Sequence, residues 1–228
     1  MKLRRVRVHA VPARGDRVVG DARHLRTVLR LEPGTEVEVF DGQGLVARGR
    51  LTDSDDIEIL EAPHASAERT LVDVAVPILK GDRQDWLVEK LCELGVGTLI
   101  PLVTERSVIN ELSDSKRARF ERLMEAACKQ SGRNRAMVIR PPCVLAELNI
   151  AYACVLDPSA SLSLHTVIVP NMTLVIGPEG GFCDAEIRWL DTQNATRARL
   201  SDHVLRAETA AIAAVSVAVT ALTANGLG

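Results

Sequence analysis

The sequence predicts an α/β protein with two domains, a small β-barrel over residues 1–70 and a larger domain with a mainly parallel sheet over residues 71–228. Up to residue 70, short segments with apolar residues near every second position alternate with turns such as Pro33-Gly34 and Asp41-Gly42, a pattern that favours strands. Beyond residue 70, apolar runs alternate with segments of helical periodicity, which is typical of parallel α/β domains. The length of 228 residues allows a sizeable hydrophobic core.

The individual elements follow from these patterns. In the first domain, the predicted strands cover residues 6–11, 36–40, 45–51 and 56–61, and one helix covers about residues 20–29. In the second domain, the predicted strands cover residues 71–79, 98–103, 153–157, 172–176 and 197–200, and the helices cover residues 82–94, 115–131, 184–193 and 207–223. Gly95 and Gly132 end the first two of these helices.

The last predicted helix has no charged side chain over residues 209–224. A membrane span needs about 20 apolar residues, and this segment is shorter and rich in Ala, Ser and Thr. We therefore interpret it as a buried helix that packs closely against another element, and we expect no membrane association.

The net charge of -2 excludes a globally basic nucleic-acid coat protein, but the charge is unevenly distributed. Residues 1–30 carry nine basic and two acidic side chains (+7), residues 31–70 three basic and ten acidic (-7), and residues 116–140 eight basic and two acidic (+6). Two cationic patches on a nearly neutral chain indicate that chosen surfaces bind a polyanion. The alternative is an arginine-rich solvated surface, because Arg outnumbers Lys by 23 to 5.

The five cysteines are an odd number and widely spaced, without a C-x-x-C pair or a paired-histidine spacing. Neither a zinc site nor a disulfide framework is therefore expected, and we expect no metal. The N-terminal residues are charged and lack the apolar segment of a signal peptide, so we expect a cytoplasmic protein.

The most informative motif is Ile176-Gly-Pro-Glu-Gly-Gly181, in which a buried strand runs into a glycine-rich turn and then a helix. Glycines let the backbone turn sharply and approach a ligand closely, and open α/β sheets bind ligands at the carboxyl ends of their strands. The motif is neither G-x-G-x-x-G nor a P-loop, so a Rossmann dinucleotide site and a P-loop are not indicated. What remains is a small ligand held largely by backbone, unless the turn is purely structural.

Two further segments combine charge with the end of a strand or helix. Arg206 and Glu208 lie at the start of an otherwise apolar helix. Burying a charge there costs free energy unless the charge is paired or has a role in function. Glu208 either caps this helix and pairs with Arg206 or takes part in chemistry. Arg133 and Arg135 flank Asn134 in a polar loop after a helix, where they either contact RNA phosphates and bases or are ordinary surface arginines.

The order and spacing of these motifs and several shorter ones are more specific than any one of them. The shorter motifs are His24-Leu25-Arg26, Phe40-Asp41-Gly42, Lys80-Gly81, Glu93-Leu94-Gly95, Pro101-Leu102 and Glu105-Arg106. Together with Gln130-Ser-Gly-Arg-Asn-Arg135, the glycine-rich turn and Leu205-Arg206, they resemble the RsmE family of ribosomal RNA uridine N3-methyltransferases, which belongs to the SPOUT class.

The resemblance implies a PUA-like, RNA-binding β-barrel, a SPOUT α/β domain with a parallel sheet and a trefoil knot, and a homodimer. It implies S-adenosylmethionine (SAM) as methyl donor and one uridine in the decoding region of 16S ribosomal RNA, free or in the small subunit, as target. The implied SAM-binding residues are Leu156, Ile176, Gly177, Pro178, Glu179, Gly180, Gly181, Leu200, Ser201, Val204 and Leu205. The predicted RNA-binding residues are Arg23, Arg26 and Arg30 in the barrel and Arg133, Asn134 and Arg135 in the loop.

The chemistry of uridine suggests roles for two residues. Its N3 is a poor nucleophile until it loses a proton, so the site needs a base, or a cation that stabilises the charge on O2 and O4. Arg206 is the predicted catalytic residue for that stabilisation, and Glu208 is either the base or an orienter of Arg206.

The chain departs from the family where Leu200-Ser201-Asp202-His203 stands in place of Leu-Gly-x-Arg. Ser201 allows a close backbone approach less freely than Gly, which affects the loop expected around the adenosine.

The alternative function is a non-catalytic RNA-binding or ribosome-assembly protein in which the glycine-rich turn is only structural.

Overall fold

A six-stranded sheet and a short helix organise the N-terminal part of the chain. The structure is a computed structural model that describes residues 3–224 and 226. In chain order the elements are β1 (Arg4–Arg7), β2 (Arg17–Val18), α1 (Ala22–Thr27), β3 (Glu36–Phe40), β4 (Leu45–Leu51), β5 (Ile57–Ile59) and β6 (His64–Ala65). The strand order is β1-β3-β4-β5-β2, with β6 paired to β4. The β1–β3 pair is parallel, and the other pairs are antiparallel.

The β3–β4 hairpin shows how the sequence builds this sheet. Val37 and Val39 alternate with polar residues and are fully buried in the core, as the two-residue period of a strand requires. Asp41 closes the turn, because its Oδ1 accepts hydrogen bonds from the backbone N–H groups of Gln43 (2.6 Å) and Leu45 (3.0 Å). Both strands have the bounds that the sequence predicts.

The second sheet has seven strands, and every pair in it is parallel. Its elements are β7 (Val72–Pro77), α2 (Asp82–Glu93), β8 (Thr98–Val103), α3 (Asp114–Ser131), β9 (Val138–Ile139), β10 (Cys143–Val144), β11 (Ala153–Leu156), β12 (Met172–Val175), α4 (Asp184–Thr192), β13 (Thr196–Ala198) and α5 (Ala207–Ala224). The order is β10-β8-β7-β12-β11-β13, with β9 paired to β8. The predicted α/β class with a parallel sheet is confirmed, whereas the trefoil knot stays a prediction.

Helix α5 packs against α2 and β7. Ala211, Ala214 and Ala218 are fully buried on one side of it, and such small side chains let the helix approach its neighbours closely. By length and composition alone α5 could cross a membrane, but this buried side agrees with the predicted core helix.

The chain forms two compact units whose boundaries differ from a single cut near residue 70. The first unit comprises residues up to Glu68 together with Glu125–Ala136, and the second comprises Arg69–Met124 together with the residues from Met137 onward. The sequence assigned all residues from 71 onward to the second domain. Segment 125–136 joins the first unit because side chains of β1 and of the segment after β6 bind its backbone.

Arg5 of β1 provides much of that binding. Its guanidinium donates hydrogen bonds to the carbonyl oxygens of Cys128 (2.6 Å) and Arg133 (2.8 Å) and to the side chain of Asn134. The same group pairs with Glu38 and lies 4.2 Å above the centroid of the Phe40 ring. Arg5 is therefore a buried structural cation, although it contributes to the cationic N-terminal stretch of the sequence.

Candidate active site

Three loops meet at the carboxyl ends of β12, β11 and β13, which are neighbours in the sheet. They enclose a cavity of about 340 Å³, which is within the usual range for small-molecule sites. The predicted residues that line it are Leu156, Ile176, Gly177, Pro178, Glu179, Gly181, Leu200, Ser201, Val204 and Leu205. Gly180 belongs to the same turn but is not among the lining residues.

The glycine-rich turn has a backbone that side chains would disturb. Gly181 has a φ of +70° and donates its N–H to the Pro178 carbonyl at 2.8 Å. A Cβ atom at Gly177 would lie 3.0 Å from the Phe182 ring. Arg106 supports the turn from outside, because its Nη1 donates to the Gly180 carbonyl at 2.5 Å. The turn therefore requires glycine at 181 and a very small residue at 177.

Glu186 of α4 connects this turn to the loop after β8. Its two carboxylate oxygens accept hydrogen bonds from the backbone N–H groups of Cys183 and Glu105, each at 2.8 Å. One carboxylate thus satisfies an N–H at the start of α4 and another on a neighbouring loop. This fixes the position of the segment that follows the glycine-rich turn.

Asp157 places a carboxylate in the wall of the cavity. Its Oδ1 accepts from the N–H (2.8 Å) and hydroxyl (2.6 Å) of Ser159, and its Oδ2 lies 3.5 Å from Nη1 of Arg197. Burial raises the pKa of this carboxyl, but the Ser159 hydrogen bonds and the Arg197 charge outweigh burial, so the pKa lies below its ordinary value. The resemblance already implies that Leu156-Asp157-Pro158 forms one of the three SAM-binding loops, but Asp157 itself was not among the predicted SAM-binding residues.

The predicted catalytic pair is arranged differently from the suggested Arg206–Glu208 ion pair. Glu208 is buried, and its Oε2 lies 3.7 Å from Nη1 of Arg83, the second residue of α2. The same Nη1 donates to Oε1 of Glu179 at 2.9 Å. In the part of the chain that the structure describes, the guanidinium of Arg206 forms no hydrogen bond and no ion pair with another side chain.

Glu179 lies close enough to both arginines to be influenced by their charges. A backbone hydrogen bond within the residue lowers the pKa of its carboxyl, burial opposes this, and the charges of Arg83 and Arg206 lower it further. The net result is a pKa below the ordinary value. Glu179 therefore pairs with Arg83 at the edge of the cavity, and the charge of Arg206 also lowers its pKa.

The predicted RNA-binding arginines differ in exposure. Arg23 and Arg30 are exposed, whereas Arg26 donates to the Asp53 carbonyl (2.7 Å) and pairs with Asp55 (3.1 Å). All three belong to the first unit.

The basic loop also belongs to the first unit. Arg133 is buried, and its Nε pairs with Glu68. Asn134 donates its N–H to Glu68 at 2.6 Å. Only Arg135 of the three predicted loop residues is exposed.

No group of three or more His, Cys, Asp or Glu side chains among residues 3–224 and 226 is arranged to hold a metal ion. The five cysteines are free thiols. The polar side chains that line the cavity also include that of His203.

Comparison with protein families identifies the class. A family model described as an RNA methyltransferase domain matches residues 66–219, and one described as an RNA methyltransferase PUA domain matches residues 20–60. The fold and the site thus define an RNA methyltransferase of the SPOUT class with a PUA domain.

Individual relatives specify the family. Ribosomal RNA small subunit methyltransferase E of Aquifex aeolicus is 32% identical over 215 residues, covering 87% of this chain and 90% of the relative. The same enzyme of Bacillus subtilis is 27% identical, covering 86% of each chain. The chain belongs to the small subunit methyltransferase E (RsmE) family.

Two similar solved structures contain SAM. The RsmE protein of Neisseria gonorrhoeae, bound to SAM, is 26% identical with a TM-score of 0.82. A protein of Legionella pneumophila in complex with SAM is 28% identical with a TM-score of 0.82. Each comparison covers 98% of both chains.

Proposed function

We propose that this protein transfers the methyl group of SAM to N3 of a uridine in the decoding region of 16S ribosomal RNA. The observation that carries the proposal is the meeting of three strand-end loops around one cavity, with the uncommitted guanidinium of Arg206 directly after the third loop. A solely structural glycine-rich turn would not require a cavity of ligand size beside it.

The residues around the cavity fit SAM. The side chains of Ile176, Leu200 and Leu205 offer apolar surface for an adenine ring, and the glycine-rich turn offers backbone groups at close range. Asp157 and Glu179 offer negative charge that suits a cationic ligand. When bound, SAM supplies an activated methyl group, so the protein needs mainly to orient the acceptor and exclude water.

Arg206 supports the acceptor's chemistry. As uridine N3 loses its proton, negative charge spreads onto O2 and O4, and a guanidinium can stabilise both oxygens without losing a proton itself. Glu208 is buried and faces Arg83, which supports a role through its charge rather than as a base that contacts N3. Its position argues against a direct Arg206–Glu208 pair.

Recognition of the RNA is proposed for the first unit. Arg23 and Arg30 are exposed around α1, and Arg135 is exposed in the basic loop. These side chains can contact phosphates without breaking an internal ion pair. Arg26, Arg133 and Asn134 support RNA binding indirectly, because their side chains are already bound within the unit.

We also propose that the protein is a cytoplasmic homodimer. The side of α5 that is not buried carries Thr209, Val217 and Thr220, and the helix has no charge beyond Glu208 in its first turn. This weakly polar surface suits contact with a second copy of the chain. Light scattering at micromolar concentration is expected to give the mass of a dimer, and a monomer would contradict this assignment.

The function is tested with tritiated SAM and small ribosomal subunits that lack the modification. Label is expected in 16S RNA, and mass spectrometry of nucleosides is expected to find 3-methyluridine. Calorimetry with SAM alone separates the alternatives, because a non-catalytic RNA-binding protein would bind RNA but not SAM. Absence of both label and SAM binding would contradict the proposal.

A further inference from the structure

Three charged side chains from distant parts of the sequence meet beside the glycine-rich turn. Arg83 comes from the first turn of α2, Glu179 from the turn itself, and Glu208 from the first turn of α5. Nη1 of Arg83 lies 2.9 Å from Oε1 of Glu179 and 3.7 Å from Oε2 of Glu208. One guanidinium therefore joins two helix starts to the wall of the cavity.

Glu208 requires such a partner. Its side chain is only 7% exposed, and its Oε2 has no hydrogen-bond partner in the described part of the chain. A buried carboxylate is costly unless a cation compensates it. Arg83 is the cation within 4.0 Å among the described residues.

Arg206 lies in the same neighbourhood without being bound. Its charge is close enough to Glu179 to lower the pKa of that carboxyl, yet its guanidinium forms no ion pair within 4.0 Å among residues 3–224 and 226. Opposite charges at short range attract each other strongly where solvent is limited. If Arg83 were neutral, the uncompensated carboxylates of Glu179 and Glu208 would attract Arg206.

We propose that Arg83 is a positioning residue for methyl transfer, which binds Glu179 and Glu208 and thereby keeps Arg206 available to the RNA base. Arg83 itself does not contact the reacting atoms in this arrangement. The inference rests on the proposed function for its consequence in catalysis. Its structural part, the competition between Arg83 and Arg206 for two carboxylates, does not depend on that function.

The competition is tested first without SAM or RNA. Phenylglyoxal modifies accessible, unpaired arginines, and peptide mapping by mass spectrometry follows Arg206 alone. We expect its modification to be slowed several-fold in Arg83→Gln and partly restored in Arg83→Gln/Glu179→Gln, in which Glu208 is the one carboxylate of the pair that remains charged. If phenylglyoxal modifies Arg206 at the same rate in wild type and Arg83→Gln, the proposal is overturned, whatever the protein's methyltransferase activity.

The consequence for catalysis is tested by single-turnover methylation and by SAM calorimetry. Because small misplacements of a catalytic group can cost up to about 100-fold in rate, we expect Arg83→Gln to slow transfer by about tenfold or more. The SAM dissociation constant should change by less than about threefold, because the substitution removes none of the backbone groups that contact SAM. Arg83→Lys should recover most of the rate, because an ammonium group still compensates the carboxylates.

The double variant distinguishes positioning from a general structural role. Arg83→Gln/Glu179→Gln should transfer methyl faster than Arg83→Gln, because one competing carboxylate is gone. A double variant that is as slow as Arg83→Gln would overturn the proposal, and so would a loss of SAM affinity in the single variant Arg83→Gln that parallels its loss of rate. If the wild type itself transfers no methyl group, the proposed function fails, while the phenylglyoxal result still decides the competition.

Two variants complete the design. Arg48→Gln removes another arginine that pairs with two carboxylates, Glu36 and Glu61, and should leave the transfer rate and Arg206 modification unchanged. If Arg83→Gln fails to fold because Glu208 is left unpaired, Arg83→Gln/Glu208→Gln removes the buried charge and leaves Glu179 to attract Arg206. The same slowing of Arg206 modification is then expected, and unchanged modification would contradict the proposal.

Discussion

The Glu68 carboxylate binds the buried side chain of Arg133 through Oε1 and accepts the N–H of Asn134 through Oε2 at 2.6 Å. It also accepts the N–H of Arg135 at 3.2 Å. One acidic side chain thus binds three consecutive residues of the basic loop, which Arg5 also binds at the Arg133 carbonyl. Two of the loop residues predicted to bind RNA are therefore used to hold the loop in place.

Glu68→Gln should destabilise the protein by about 2–4 kcal/mol, because it removes the charge of the carboxylate that pairs with the buried Arg133. The free energy of unfolding in urea measures this effect. Glu61→Gln is the matched control, since Glu61 pairs with Arg48 at the surface of the same unit, and it should cost less than about 1 kcal/mol. If the two variants lose the same free energy of unfolding, the Glu68–Arg133 pair contributes no more to stability than a surface ion pair.

Arg206→Ala should slow methyl transfer by about 100-fold or more, the usual effect of removing a group that stabilises developing negative charge. SAM affinity should remain nearly intact, because the Arg206 side chain is not among the cavity-lining residues. Single-turnover kinetics and calorimetry measure the two quantities separately. Arg188→Ala, at an exposed position of α4, is the control. A collapse of SAM affinity in Arg206→Ala would assign the residue to donor binding instead.

Reversing the charge at Arg23 and Arg30 should weaken RNA binding and lower the slope of log K against log salt by about one for each lost phosphate contact. Filter binding over a series of salt concentrations gives both quantities. Arg69→Glu with Arg188→Glu makes the same change in net charge at exposed positions of the second unit and should have a smaller effect. Unchanged affinity in the Arg23 and Arg30 variant would identify those arginines as ordinary solvated residues.

Gly181→Ala should weaken SAM binding by about fivefold to tenfold, because the left-handed backbone at φ +70° costs a residue with a Cβ about 1 kcal/mol or more. The expected strain displaces the turn that lines the cavity. Gly15→Ala imposes a similar backbone penalty in the first unit, where φ is +88° and a Cβ would have no neighbour within 4 Å. It should lower stability without changing SAM affinity, as calorimetry can show. Equal SAM affinities for wild type and Gly181→Ala would mean that the turn does not contact the donor.

Asp157 should make stability depend on pH in the acid range. Its folded pKa lies below the ordinary 3.8, so its charge stabilises the native state above that value, and this contribution is lost as the pH falls through the lowered pKa. Asp157→Asn keeps a hydrogen-bond acceptor for Ser159 but removes the charge. The variant should be less stable than wild type at neutral pH, and the difference should shrink as the pH falls below about 4.

Urea midpoints over this pH range test the expectation. Glu111→Gln, at an exposed position of the same unit, should not change the pH dependence. A difference between wild type and Asp157→Asn that is constant with pH would contradict a contribution from the charge.

Local patterns in the sequence predict most of the elements. Alternation places β3 and β4 at their observed bounds, and the apolar runs place β8. The first strand is displaced from its prediction: β1 covers Arg4–Arg7 instead of residues 6–11, because its ladder with β3 runs from the Arg4–Val37 pair to the Arg7–Phe40 pair. Strands of two residues, such as β2 and β6, are too short to show a period and were not predicted.

The candidate site was predictable only where a motif is continuous in sequence. The glycine-rich turn is recognisable in the sequence, because its left-handed backbone requires a glycine at position 181. Arg83 carries no such signal, since its partners Glu179 and Glu208 are 96 and 125 positions away and only the fold brings them together. The exposure of a side chain also depends on the fold. Arg133 is buried and Arg135 is exposed, but the sequence around them does not show this difference.

The assignment of residues 125–136 to the first unit limits how this protein can be divided. A fragment that ends at Glu68 would retain Arg5 but lose the carbonyl groups of Cys128 and Arg133 that its guanidinium binds. Gene fusion or exchange at a single junction near residue 68 would therefore separate a domain from part of its own interior. The two units therefore cannot be exchanged independently at one junction. An RNA-binding module that is transferred to another protein would have to include residues 125–136, which are encoded within the methyltransferase domain.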